Sequence, residues 1–478
     1  MSRKFFLSIA AALVSLAAAA KVQLPNIIGD NMVLQRESKV ALWGSAKANA
    51  KVVIAPSWTK AKTSVTADGD GKWSARIQTP EAGGPYEISF SDGEKTTLRN
   101  ILIGEVWFCG GQSNMEMPVK GFSGQPVEGA LDVIMDANPA TPIRMCTSKR
   151  NASCTPAEEN QLKWQENTPE AVANTSSVAY FFARQLCKTL GVPVGVISCN
   201  WGGSAIEAWI SKDYIDRDFK GEFDLSYLEQ GITPKNRPHQ KPTLLFNGMV
   251  KPIVPFTFKG IIWYQGETNR GRAEQYLRLS KTYVEMMRAV WENPEMPFYA
   301  VQIAPYRYND PEDFKSGFLE EAQMKAAQQI PHAGIATTLD IGDPYTIHPA
   351  KKKEVGQRLA ALALENDYGF KGIHSRAPEF KEMTVKDGKI ILSFDVFGDS
   401  LAPISKELEG FEVAGADKTF HKATSAKLGK DRKSVEITCD AVPEPVAVRY
   451  AFRNLSSASI YNSMCLPVGP FRTDDWDE

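Results

Sequence analysis

At 478 residues the chain is longer than a single hydrophobic core usually organises, and roughly 150 residues per domain predicts about three domains. Its 55 basic residues nearly balance 56 acidic ones, for a formal net charge of −1. No basic block is long enough to track a phosphate backbone, which argues against nucleic acid as a partner.

Arg3 and Lys4 precede an apolar run that closes on small residues at Ala20, the pattern of a secretory signal peptide over residues 1–20. That run is short for a bilayer span, no stop-transfer pattern follows, and no cysteine stands at the cleavage point. The mature chain is therefore expected to be periplasmic or secreted, with no membrane anchor. Export permits disulfides, and seven cysteines leave at least one unpaired within the chain. Cys146 and Cys154 are near enough to close a small loop, although spacing does not fix connectivity. Cys109, Cys187 and Cys199 lie in apolar runs and read as buried thiols. With no C-x-x-C and no H-E-x-x-H, the chain shows no metal-ligand pattern, and no cofactor is expected.

Residues 21–99 alternate in short stretches such as SKVALWGSA and GPYEISFS, broken by Gly, Asp and Pro, which predicts a β-sandwich-like domain. DGDGKW at Asp68 to Trp73 lacks the ligand spacing of a calcium loop and reads as a hairpin turn. Over residues 100–375 the pattern changes to apolar runs alternating with segments of helical period. ILIGEVWF, VPVGVIS, KGIIWY, PFYAVQI and AGIATTLD have the near-continuous character of parallel strands covered on both faces.

Helices are predicted over Ser177 to Leu190, stopped by Gly191, over a stripe from Tyr276 to Trp291, and after Pro349, with Val355, Leu359 and Leu362 inward. The aromatic residues on these stripes read as core. The fold class is α/β, a doubly wound parallel sheet. Residues 376–478 return to alternation, as in KIILSFDVFG and VAVRYAFRN, and predict a C-terminal β-domain.

In such sheets a ligand sits outside the carboxyl ends of the strands. There the runs end in GGQSN with Ser113, NWGGS with Gly202 and Gly203, QGETN with Gln265 and Glu267, and DIGDPYTIHP with Asp340, Asp343 and His348. Each has a plain structural reading: Ser113 and Glu116 suit a helix capping box, the glycines a tight turn, and His348 a helix start. Together they supply what acyl transfer by serine requires: a hydroxyl, an imidazole, an acid and oxyanion donors on one rim. No G-x-S-x-G surrounds Ser113, which disfavours an ordinary α/β-hydrolase, and no phosphate-cradling glycine motif occurs.

GGQSNMEMP, VPVGVISCNWGGSAIEAWI, GIIWYQGETN and DIGDPYTIHPAKKKEVGQRLA, in this order, resemble the SGNH (GDSL-like) hydrolases and, within them, the sialate O-acetylesterases. The resemblance implies an SGNH-type three-layer α/β/α domain flanked by β-sandwich-like domains. It also implies Ser113 as nucleophile, His348 as general base, and an oxyanion hole of the Ser113 and Gly203 N–H groups, Gly203 suiting the register better than Gly202. Gln265 stands where the superfamily carries an Asn donor. The superfamily's Asp three residues before the histidine is Tyr345 here. The acid is expected to be Glu267, then Asp343, then Asp340, with a dyad using a backbone carbonyl also open.

The implied substrate is an O-acetylated sialic acid, whose carboxylate would favour a nearby cation such as Lys351 to Lys353 or Arg144. A lysine run on a helix is more often a solvated face. Acetylated xylan is the alternative substrate, and a non-catalytic carbohydrate-binding protein the alternative of another class.

Overall fold

The computed structural model describes residues 21–386, 388–403 and 408–476. The signal peptide expected over residues 1–20 lies outside them. At the centre is an 11-stranded sheet. Its main path uses β1 (Lys95–Gly111), β2 (Ile143–Thr147), β3 (Trp164–Glu166), β4 (Val194–Asn200), β5 (Gly260–Tyr264), β6 (Phe298–Val301) and β7 (Ala333–Ala336). The spatial order is β7-β6-β5-β1-β4-β2-β3. All these pairings are parallel except that of β2 with β3.

The helices that matter for the site are α1 (Ser113–Glu116), α2 (Ser177–Leu190), α3 (Ala273–Val290), α4 (Lys315–Gln329) and α5 (Lys352–Asn366). Successive strand residues face opposite sides. On β5, Ile261 and Trp263 join one core with Leu279 and Tyr283 of α3 and Leu319 of α4. Ile262 and Tyr264 join the other with Val178 and Phe182 of α2 and Val355 and Leu359 of α5. Both faces are therefore buried, which is why these strands read as unbroken apolar runs.

β1 begins outside the α/β layer. Its first half pairs antiparallel with Gly83–Ser91 and parallel with Val33–Gln35, and its second half lies between β4 and β5. One strand thus passes straight through the boundary expected at residue 100. The N-terminal region is β-rich as its alternation predicts, and Asp68 Oδ1 accepts the N–H groups of Asp70 and Lys72 within a turn.

Residues 379–472 form two four-stranded sheets and a two-stranded one around a separate core that includes Leu392, Val413, Val435 and Tyr450. All seven cysteines are free. Cys146 is buried in β2 and unbonded to Cys154, so the small loop considered from spacing is not closed. No helix among the described residues is long and apolar enough to cross a membrane.

Candidate active site

Chain order reverses about β1, which lies between β4 and β5, and in sheets of this kind the ligand position is outside the carboxyl ends of the strands at that point. The two glycines ending β1 are set by close packing. A Cβ on Gly110 would lie 2.8 Å from the rings of Phe108 and Trp263, and one on Gly111 (φ +150°) 2.1 Å from the carbonyl oxygen of Tyr264. Next, Gln112 turns out of the strand, and its Oε1 accepts the N–H of Gly266 and of Thr268 (3.3 and 3.4 Å), fastening the loop after β5.

Ser113 is the first residue of α1, and Gln112 is the N-cap. The capping box is not formed. The Glu116 carboxylate instead accepts the Gly202 N–H (2.8 Å) and a two-pronged contact from Arg150 (2.7 and 2.6 Å). Among the described residues the Ser113 hydroxyl has no hydrogen-bond partner, and neither does the N–H of Ser113 or of Gly203.

Gly203 is left-handed (φ +73°), and Gly202 lies so close to Ser113 that a Cβ there would be 3.3 Å from the Ser113 Cβ. Since Glu116 takes the Gly202 N–H, the donor left at this turn is Gly203. The Gln265 amide expected to complete the hole is turned elsewhere. Fully buried, its Nε2 donates toward Ser204 O (3.0 Å), Asn269 Oδ1 (2.8 Å) and Gln112 Oε1 (3.3 Å), three acceptors for two hydrogens.

His348 reaches the same rim on the loop before α5. Asn114 Nδ2, next to the serine, donates to the carbonyl of Ile347, next to the histidine (3.0 Å). No hydrogen bond joins Ser113 Oγ to His348 among the described residues; such contacts commonly tighten only around substrate. Of the carboxylates expected behind the ring, none touches it. Asp343 Oδ1 accepts the N–H groups of Tyr345 and Thr346 (2.7 and 3.1 Å), which holds it in its own turn. Asp340 forms a double contact with Arg358 (2.8 and 2.6 Å).

Glu267 Oε1 accepts from Asn114 Nδ2 (2.5 Å), and its Oε2 is shielded from solvent with no partner. The group at His348 Nδ1 is Gln125 Oε1, at 2.6 Å. Tyr345, at the superfamily's Asp position, is 82% exposed.

Beneath the rim, Lys352 is fully buried and donates to Asn114 Oδ1 (2.5 Å). Lys352, Asn114 and Glu267 thus form one chain linking α5, α1 and the loop after β5. Burial lowers the pKa of Lys352, partly offset by Glu267, and burial raises that of Glu267. His348 is pushed down to about 4 by burial and by the positive charge of Lys352. It is therefore the neutral, proton-accepting form at neutral pH.

The middle lysine of the run, read from sequence as a solvated face, is in fact part of the site's foundation. Arg144 is likewise buried and paired with Glu166 (3.2 Å). Neither of these two faces a substrate carboxylate.

Trp201 stacks on His239 (centroids 5.5 Å apart, planes at 18°), with Arg150 over the Trp201 ring. His239 Nε2 would lie 3.4 Å from a Cβ on Gly203. Burial, then Arg150 and Arg237, lower the pKa of His239. Gln125 and His239 carry no sequence signal, because both sit in Gly- or Pro-containing loops outside the motif blocks. Asn114 and Gln112 were inside the serine block, where their spacing alone carries no role.

Residues 103–365 match the family model described as carbohydrate esterase, sialic acid-specific acetylesterase. The chain is 27% identical to the sialate O-acetylesterases of Pongo abelii and of Homo sapiens, in each case over 93% of this chain and 91% of the relative. It is 34% identical to a carbohydrate acetylesterase from Xanthomonas citri of known structure, with a TM-score of 0.86 over 95% of this chain and all of that one. With the fold and the four motif blocks in agreement with these likenesses, the chain belongs to the family of sialic acid-specific acetylesterases among the carbohydrate esterases.

Proposed function

We propose that the chain is an exported serine esterase that removes O-acetyl groups from sialic acids or related glycans through an acetyl-enzyme. Family membership makes it a carboxylic ester hydrolase of acetylated sugars; the serine route and the sugar are our reading. The observation that carries it is the pair of unengaged N–H groups, on Ser113 and Gly203, beside an unengaged Ser113 hydroxyl at the sheet's switch point.

In this reading His348 Nε2 takes the Ser113 proton as Oγ bonds to the acetyl carbonyl carbon. The oxyanion is held by the N–H groups of Ser113 and Gly203. His348 returns the proton to the departing sugar oxygen as the C–O bond breaks. Water then attacks the acetyl-serine, giving its proton to His348, and acetate leaves as Ser113 is reprotonated. The N-terminal pattern of Arg3, Lys4 and an apolar run supports export, which fractionation of expressing cells would check.

A neutral acetylated glycan such as xylan is the second reading, favoured by the commitment of Lys352 and Arg144 to buried partners. Acetate release from O-acetylated sialic acid and from acetylated xylo-oligosaccharides, measured side by side, distinguishes them. The sialate reading expects clear preference for the former. The reverse preference would replace it and leave the esterase intact, and release from neither would refute both.

A further inference from the structure

We propose that Gln125 is the positioning residue for His348, a neutral amide standing where a serine hydrolase of this kind ordinarily places a carboxylate. The inference rests on the esterase reading above and adds a residue to it. Gln125 Oε1 accepts and does not donate, so the ring nitrogen 2.6 Å from it carries the hydrogen. A neutral imidazole has one N–H; with it on Nδ1, Nε2 is bare and available to the serine proton. Tautomer selection of this kind is the main task of the third member of a Ser-His-Asp triad.

The segment carrying Gln125 is built around the histidine. The Phe122 ring meets the imidazole edge-on at 5.3 Å, Gln125 takes Nδ1, and the Glu128 N–H donates to the Ala350 carbonyl (3.0 Å). Two of these contacts hold the ring itself and the third holds the chain two residues after it. The turn that presents Gln125 is closed by its own N–H on the Phe122 carbonyl (3.0 Å). It also needs the left-handed Gly121 (φ +79°), whose Cβ would lie 2.3 Å from the Gln125 carbonyl oxygen.

An amide orients the ring without offsetting the charge that forms on it. The charged groups on the surrounding elements do not replace that offset. Lys352 on α5, its pKa lowered to about 7 by burial, is a cation in the acid range where the base titrates, Glu267 is bridged to Lys352 through Asn114, and Asp343 is held by its own turn. Glu128 is exposed at the far end of the Gln125 loop, and Glu116, at the end of α1 three residues after Ser113, is paired with Arg150. Lys352 opposes imidazolium formation, so the base stays unprotonated well into acid.

The test compares the purified full-length protein with Gln125→Ala and Gln125→Glu, following kcat/KM for p-nitrophenyl acetate from about pH 4 to about pH 8. The wild-type profile should fall only near pH 4 on its acid side. Gln125→Ala should lower kcat by about tenfold to a hundredfold with KM little changed. Gln125→Glu, nearly the same shape, should keep activity at high pH and move the acid limb up by about one to three units, because a carboxylate now favours the imidazolium.

Wild-type kcat in Gln125→Ala, or an unmoved acid limb in Gln125→Glu, would overturn the proposal. Should the Ala variant fail to fold, the Glu profile decides alone. Failure of the esterase reading is seen separately, as wild-type protein that does not turn over the ester at all.

Discussion

Lys352, Asn114 and Glu267 tie the segments of serine, histidine and the β5 loop together through two 2.5 Å contacts and the Asn114 bond to Ile347. Lys352 and Glu267 do not touch, since Asn114 stands between them, but removing one buried partner leaves the polar group it engaged unsatisfied, at about 1–3 kcal/mol. Lys352→Met should therefore destabilise the protein by that order, and Lys352→Met with Glu267→Gln by clearly less than the two single changes added. Urea unfolding of the four proteins in a double-mutant cycle checks this.

With the cation gone, imidazolium formation becomes easier. The acid limb of kcat/KM in Lys352→Met should move up from near pH 4 towards the ordinary histidine value. On the other wall, His239→Ala should raise KM for an acetylated glycan several-fold while p-nitrophenyl acetate turnover changes by less than about twofold, since a small acetyl ester has no sugar to meet that wall. Steady-state kinetics on the two substrates would show whether it does.

At this scale Ser113 and His348 stand out in the sequence as candidates by their residue type and motif block. Gln125 stayed hidden because an amide in a Gly-rich loop has no distinguishing pattern. Lys352 stayed hidden because a run of three lysines reads as solvent-facing unless the helix phase is known.

Helix packing holds the histidine segment in place. α2 and α5 approach closely because Gly356 stands at their crossing. A Cβ there would lie 2.7 Å from the Phe181 Cβ and 2.8 Å from the Phe182 backbone nitrogen. Gly356→Leu should cost more than the ~1–3 kcal/mol typical of an overpacked core, because backbone as well as side chain must move. Differential scanning calorimetry would register the loss, and α5 would shift beneath His348, lowering kcat.

These helices were legible in their periodicity, including the end of α2 at Gly191, which takes the left-handed conformation (φ +68°). The strands were legible as continuous apolar runs. The length of β1 was not. Its first half is exposed to half-buried while its second half is wholly buried, so one strand reads as two patterns. α1, at four residues, is too short to carry a period.

Over the whole molecule, the C-terminal β-domain braces the site through Asn454. It receives hydrogen bonds at Oδ1 from Arg270 (2.8 Å) and from Ser316 Oγ (2.8 Å), donates to the Asp310 carbonyl (2.7 Å), and its backbone pairs with Tyr306 and Asp313. Arg270 follows the QGETN block directly. Asn454→Ala leaves several buried groups unsatisfied and should cost about 1–3 kcal/mol, seen as a lower thermal midpoint, with a smaller loss of kcat than any change at Ser113 or His348. The alternation of residues 376–478 announced this domain, but its contact with Arg270 spans 184 positions of sequence. No local pattern encodes that separation.

The central claim is that Ser113 carries the acetyl group. Wild type and Ser113→Ala should be compared for p-nitrophenyl acetate turnover and for acetate released from an O-acetylated glycan, with the fold of both checked by thermal unfolding. The account predicts active wild type and a folded alanine variant whose kcat falls by about four orders of magnitude or more on both substrates. A folded Ser113→Ala protein that releases acetate at a rate near wild type would contradict it.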